Sequence, residues 1–316
     1  MTPAFDVPVP QGGYAWWYLD ALSDDGQHGL TLIAFVGSVF SPYYARARRN
    51  NHGLADPLDH CALNVALYAG AEAASPTGWC MTERGRSSVE RLPNQLRIGP
   101  SALAWDGKAL TAQIDEVTVP WPRRLRGSIR LEPDALLDHS YPLDDAGRHH
   151  WCPIAPCARV EVALERPALH WRGTAYLDCN RGERALEQDF QRWDWSRTAL
   201  AKRRSAVLYD VTRNDGSPLS LALAFDAQGR VNDFAPPPES RLPASGWRVP
   251  RTTRSDSAGT TRVAQTLEDG PFYARSVLTT RLLGETATAV HESLCLQRWA
   301  RPAVQMMLPF RMPRRA

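Results

Sequence analysis

The chain has 316 residues, 43% hydrophobic and 22% charged, which is the composition of a folded globular protein and the length of two ordinary domains. Its net charge of +3 is small for that length and gives no compositional support to a nucleic-acid partner. The longest apolar run, GLTLIAFVGSVF over residues 29–40, is too short for a membrane-spanning helix and reads as a buried strand with its continuation.

Strand signals dominate the chain. Alternating or compact apolar runs predict strands over 14–20, 30–36, 63–68, 109–119, 125–131 and 159–164, and then over 206–213, 219–225, 262–267, 273–282 and 287–296. Asp-Gly pairs at Asp25-Gly26, Asp106-Gly107, Asp215-Gly216 and Asp269-Gly270 suit the positive φ angles of tight turns and predict hairpins there. Helix signals are confined to short candidates at 184–191 and 196–204. The pattern predicts an all-β protein of two barrels or sandwiches. The turn-like DDAGR at 144–148 places the boundary near mid-chain, giving domains 1–147 and 148–316. Pro236-Pro237-Pro238 opens a surface excursion through Pro250 that is expected to have no packed structure of its own.

Six cysteines (Cys61, Cys80, Cys152, Cys157, Cys179, Cys295) contain no CxxC pair, and the opening MTPAFDVPVP shows no secretory signal. The expectation is therefore reduced thiols in a cytoplasmic protein that meets any lipophilic substrate from the membrane surface. Within 297–316, Arg298, Arg301, Arg311, Arg314 and Arg315 surround Met306, Met307, Leu308, Phe310 and Met312. That pattern suits an anionic membrane surface, or equally a partly ordered tail with its arginines in solvent. Pro302, Pro309 and Pro313 argue against one continuous amphipathic helix.

The stretch 173–195, GTAYLDCNRGERALEQDFQRWDW, concentrates the chemistry. In an extended chain, positions two apart share a face, so Tyr176 and Asp178 face one way. An inward carboxyl is costly unless paired or protonated, and desolvation favours the neutral acid, which can donate a proton. The alternative is an Asp tied to Arg181 or to backbone N–H groups. His149 and Trp151 in HHWCPIAP repeat the spacing and can face a common cavity, or else simply pack a junction. Trp193 and Trp195 form a third such pair, and Trp16 and Trp17 add aromatic mass. Ring faces stabilise cations, although most of the eleven Trp residues also suit a barrel core. His52 and His60, with Asp56 and Asp59 between them, match no recognised metal-ligand spacing. No GxGxxG or Walker loop supports a nucleotide cofactor, and there is no GxSxG elbow.

These segments resemble the bacterial carotenoid 1,2-hydratases, or hydroxyneurosporene synthases. The likeness is strongest in QGGYAWWYLDALSDDG (11–26), HGLTLIAFVGSVFSPYYA (28–45), HHWCPIAP (149–156) and 173–195. The chain also looks like the wider lipocalin-like (AttH-type) superfamily, whose members often carry an aromatic residue after the Asn, where this chain has Arg181. The resemblance implies an all-β fold of two lipocalin-like (calycin-type) antiparallel β-barrel domains in tandem. It also implies cofactor-independent addition of water to the terminal C1=C2 bond of an acyclic carotenoid such as neurosporene or lycopene. The family roles fall on His149, Trp151, Tyr176 and Asp178.

An unactivated alkene offers nothing to a nucleophile, so the expected first step is protonation by Asp178 to a tertiary cation, which water then captures. Trp151 and Tyr176 would lie against the cation, while Trp16, Trp17, Trp193 and Trp195 would line the substrate cavity. His149 could orient Asp178, reprotonate it or activate the water. A proton-initiated cyclase of the tocopherol cyclase type and a non-catalytic carotenoid carrier are the rival readings.

Overall fold

In the computed structural model, residues 2–69, 77–257 and 259–315 are described. The chain is mostly strand and divides into two units. The first gathers the described residues of Met1–Ala69, Thr77–Ala185 and Gln305–Ala316, and the second holds those of Leu186–Val304.

The first unit opens with β1 (Tyr14–Ser23), β2 (His28–Val36), helix α1 (Pro42–Asn50), β3 (Cys61–Ala69) and β4 (Gly78–Arg84). It continues through β5 (Val89–Leu92), β6 (Gln95–Ile98), β7 (Ser101–Trp105), β8 (Leu110–Val117) and β9 (Arg124–Pro133). The short β10 (Tyr141–Pro142) precedes two long strands, β11 (His149–Arg166) and β12 (Leu169–Gly182). All join one sheet in the order β4-β3-β2-β1-β12-β11-β9-β8-β7-β6-β5, with β10 beside β11. The sheet curls, so that β3 and β4 approach β6 and β8. Its concave core holds Trp17, Leu32, Val65, Ile98, Leu131 and Leu177.

The second unit carries β13 (Phe190–Leu200), β14 (Arg204–Arg213), β15 (Pro218–Phe225) and β16 (Val231–Asp233). After the ribbon of β17 (Glu239–Arg241) and β18 (Thr252–Arg254) come β19 (Arg262–Asp269), β20 (Tyr273–Leu282) and β21 (Glu285–Cys295). Its main sheet runs β16-β15-β14-β13-β21-β20-β19. The tail forms α2 (Leu296–Trp299), α3 (Pro302–Met307) and β22 (Arg314–Arg315); β22 belongs to the first unit and pairs there in parallel with β4.

All four Asp-Gly pairs lie between paired strands. Gly26, Gly107 and Gly216 have φ between +70° and +95°, so the positive-φ argument holds at three turns. Gly270 is not among the positive-φ glycines, and its N–H bonds the Tyr273 carbonyl.

Three sequence expectations give way. The helix expected at 196–204 is the end of β13 and a turn, because Ser196 and Thr198 continue a two-residue alternation paired with β14 and β21. The excursion after Pro238 does have packed structure: β17 pairs with β18, and Leu242 and Val249 are buried. The expected boundary at 147/148 falls inside the first unit, since β12 pairs with β1 and β11 with β9, and the division lies at 185/186. Helix α1 appears where the sequence reading proposed none. Ser41 caps the N–H groups of Tyr43 and Tyr44, and Pro42 takes the first helical position, where a missing N–H costs nothing. Among the described residues, no helix is long and apolar enough to cross a membrane.

Candidate active site

Strand β1 is buried on both faces, and its two faces differ in chemistry. Ala15, Trp17, Leu19 and Ala21 join the apolar core. Tyr14, Trp16, Tyr18 and Asp20 alternate with them and point the other way. Across β12, Tyr14 lies opposite Gly182, Trp16 opposite Asn180, Tyr18 opposite Asp178 and Asp20 opposite Tyr176. On the far side of β12, His149 pairs with Gly182, Trp151 with Asn180 and Pro153 with Asp178. Three adjacent strands thus place their polar and aromatic residues on one face, opposite the hydrophobic core.

Asp178 is the centre of this face. The Trp151 indole N–H donates to its Oδ2 at 2.8 Å, and the Tyr176 hydroxyl donates to the same oxygen at 2.7 Å. The indole nitrogen also lies 3.2 Å from the Tyr176 oxygen, which closes a triangle of polar atoms. Trp151, Tyr176 and Asp178 are at most 2% exposed, so these bonds form away from bulk water, where electrostatic attraction is stronger. Tyr18 meets Tyr176 edge to face, with ring centroids 6.3 Å apart. Tyr141 of β10 covers Trp151 at 5.5 Å.

His149 sits at one end of the face, held through its backbone. Gly147, at φ +64°, closes a turn onto Asp144, whose Oδ1 accepts from the N–H groups of both Arg148 and His149. The His149 ring bonds the Tyr14 hydroxyl through Nδ1 at 2.8 Å. Gly182 makes this contact possible: a Cβ there would lie 2.5 Å from Nδ1 and 2.6 Å from Tyr14 Cε1. Gly182 and Asp178 are four residues apart, so His149 and the acid occupy strand positions separated by about 13 Å. Two bulges in β11, between Pro153 and Ala155 and between Ala155 and Ala158, break the ladder around prolines that have no N–H to give it.

The four residues with expected chemical roles, His149, Trp151, Tyr176 and Asp178, therefore share one face, and Trp16 joins them. Trp16 is stacked on Tyr14 at 4.9 Å. Trp17 lies on the opposite face in the core, edge-on to Phe5, with its N–H bonded to the Pro3 carbonyl at 2.9 Å. Trp193 and Trp195 belong to β13 of the second unit, where Trp193 packs against Phe190 and Tyr209. His60 bonds Glu83 and Arg314, whereas His52 is exposed. Among the described residues, no three His, Cys, Asp or Glu side chains cluster as metal ligands.

Sequence reading missed Tyr14, Tyr18 and Asp20. Their signal was present in YAWWYLD, where the two-residue period that pairs Tyr176 with Asp178 also selects Tyr14, Trp16, Tyr18 and Asp20.

A family model described as "Carotenoid hydratase CrtC" matches residues 32–316. An acyclic carotenoid 1,2-hydratase of Thiocapsa roseopersicina is 58% identical over 99% of this chain and 76% of its own. The enzyme of that name from Rubrivivax gelatinosus is 51% identical over 100% and 77%. Among solved structures, kievitone hydratase from Nectria haematococca aligns with a TM-score of 0.52 at 10% identity, covering 95% of this chain and 97% of that one, a likeness of fold alone.

Proposed function

Because the chain belongs to the CrtC carotenoid hydratase family, we propose that it adds water to the terminal C1=C2 bond of an acyclic carotenoid such as neurosporene or lycopene, by acid catalysis from Asp178 and without a cofactor. The observation that carries the mechanism is the convergence of two donors on one carboxyl oxygen. Trp151 N–H and Tyr176 O–H both point at Oδ2, so two donors are in place for the carboxylate that forms when Asp178 gives up its proton. In the first step the alkene π pair takes that proton at C2, leaving a tertiary cation at C1 and a carboxylate whose new charge the two donors stabilise. Water then captures the cation, loses a proton and leaves a tertiary alcohol, and Asp178 regains its proton before the next turnover.

The surrounding rings suit a cation. The Tyr18, Tyr176 and Trp151 faces present π density, each desolvated contact contributing roughly 2 kcal/mol. Placement of the acid and exclusion of bulk water supply the rest.

Two further parts of the reading concern architecture and location. Each sheet is read as a lipocalin-like half of a tandem pair, which the curl of the first sheet around its core supports. The protein works at a membrane surface, supported by the exposure of Phe310 (83%), Trp121 (77%) and Met306 (70%) with basic Arg123, Arg311 and Arg315 also at the surface.

The test is incubation of the purified chain with lycopene or neurosporene in 18O-water. A product heavier by one or two labelled waters is the expected result. An isomer of unchanged mass would indicate cyclisation, and unaltered pigment held by the protein would indicate a carrier.

A further inference from the structure

Hydration consumes water, yet His149, Trp151, Tyr176 and Asp178 are all buried. The first unit has an open pocket of about 270 Å³ whose walls include Tyr14, Arg148, His150, Arg181, Gly182 and Glu183. None of the four lines it; it meets the site through Tyr14 and Gly182, which lie against His149. That volume holds several water molecules, and its charged side chains supply the two to four polar partners that an ordered water needs. Tyr14 belongs to both places: it borders the pocket, and its hydroxyl lies 2.8 Å from Nδ1 of His149.

On the hydratase reading above, we propose that this pocket is the water port of the reaction and that Tyr14 is a positioning residue that sets the His149 ring toward water drawn from it. Gly182 is part of the device. A side chain there would drive into both the Tyr14 and His149 rings. The port opens at the His149 end of the face, about 13 Å along β12 from the acid. A port at that end keeps the store of water off Asp178, where it would compete with the alkene for the proton. The water that captures the cation moves along the face from there, because C1 is one bond from the protonated C2 beside the acid.

The port makes a claim about partition that loss of activity alone does not. In D2O, a cation that is not captured returns a proton and regenerates alkene carrying deuterium. Tyr14→Phe keeps the ring stacked on Trp16 and removes only the hydroxyl; Glu183→Trp fills the pocket mouth from an exposed position. Tyr14→Phe is expected to hydrate about tenfold more slowly, the scale of one lost hydrogen bond, and Glu183→Trp to slow hydration by obstructing the pocket, both with KM for the carotenoid unchanged. In both, the ratio of deuterated alkene to alcohol should rise by a similar factor. If Tyr14→Phe does not fold, Glu183→Trp decides alone. The inference is overturned if a folded variant hydrates at the wild-type rate, or if exchange and hydration fall together in constant ratio. A wild-type chain that neither hydrates nor exchanges overturns the hydratase reading itself, and this inference with it.

Discussion

Trp151 reaches from β11 across to β12 and donates its indole N–H to Oδ2 of Asp178 at 2.8 Å, onto the oxygen already bonded by Tyr176. An indole whose N–H is committed in this way acts as a hydrogen-bond donor as well as an aromatic wall. Trp151→Phe retains an apolar ring and removes the donor. Hydrogen bonds to charged groups contribute about 1.5–3 kcal/mol, so kcat should fall roughly 10- to 100-fold with KM little changed. Because both donors share one oxygen, the Trp151→Phe, Tyr176→Phe double variant should lose less than the product of the two single losses. Steady-state kinetics on the three variants provides the check, and strict additivity would refute the shared-oxygen arrangement.

Asp178→Asn replaces the acid with an amide of the same shape. General acid catalysis contributes about 10²- to 10⁴-fold, and no other acid is proposed for this step, so hydration should drop by at least that factor. The circular dichroism spectrum and melting temperature should stay near wild type. A folded variant that hydrates at a near wild-type rate would falsify the assignment.

Gly182→Ala tests the close approach of Tyr14 and His149. The added methyl would meet Nδ1 at 2.5 Å and the Tyr14 ring at 2.6 Å, both far inside van der Waals contact. Overpacking of this kind costs about 1–3 kcal/mol, and the variant should melt lower and lose the Tyr14–His149 bond. Unchanged thermal stability would show that the strands part freely there.

In the second unit, Asp194 and His291 have opposed pH dependences. Burial pushes the Asp194 carboxyl up to about 6, against bonds from Ser293 and Thr252 that lower it. Burial pushes His291 down to about 4, and its Nε2–H bonds the Thr252 carbonyl at 2.7 Å. The folded state holds more protons than the unfolded at Asp194, so that group's stabilisation is full below pH 3.8 and lost as pH rises to about 6. At His291 the unfolded state holds more protons, so stability there is gained from pH 4 to 6.5. The two slopes offset in wild type. Urea unfolding of Asp194→Asn should show stability rising from pH 4 to 6.5 by a few kcal/mol, and His291→Gln should show the reverse. Flat profiles for both variants would rule out this coupling.

For membrane docking, the expected result is cosedimentation with vesicles containing anionic lipid, weakened by salt. Each basic residue near such a surface contributes about 1 kcal/mol. Phe310→Ser with Trp121→Ser should reduce binding severalfold without affecting fold, since both side chains are exposed. Wild-type protein that stays in solution at low salt would exclude a membrane-facing role for this surface.

Much of the architecture was legible locally. Strand alternation, the Asp-Gly turns and the i, i+2 pairs at His149/Trp151 and Tyr176/Asp178 are short-range properties, because a pleated strand sends alternate side chains to opposite faces wherever it lies. Where the local signal was weak, the reading failed. Ser196–Leu200 is strand because β14 and β21 flank it, and 239–254 is ordered by pairing with itself and by the bonds of Thr252 to Asp194.

By itself the sequence determined an all-β chain in which Asp178 and Tyr176 share a face, and Trp151 and His149 share another. Only the tertiary structure decided that these two faces are one. Strand β12 pairs with β1 on one side and β11 on the other, bringing residues some 135 positions apart, such as Tyr14 and His149, into hydrogen-bonding contact. The same pairing sent Trp16 to the site and its neighbour Trp17 to the core. Periodicity says only that adjacent residues part company; which face meets the acid depends on strand order, set by the long-range burial of the opposite, apolar face.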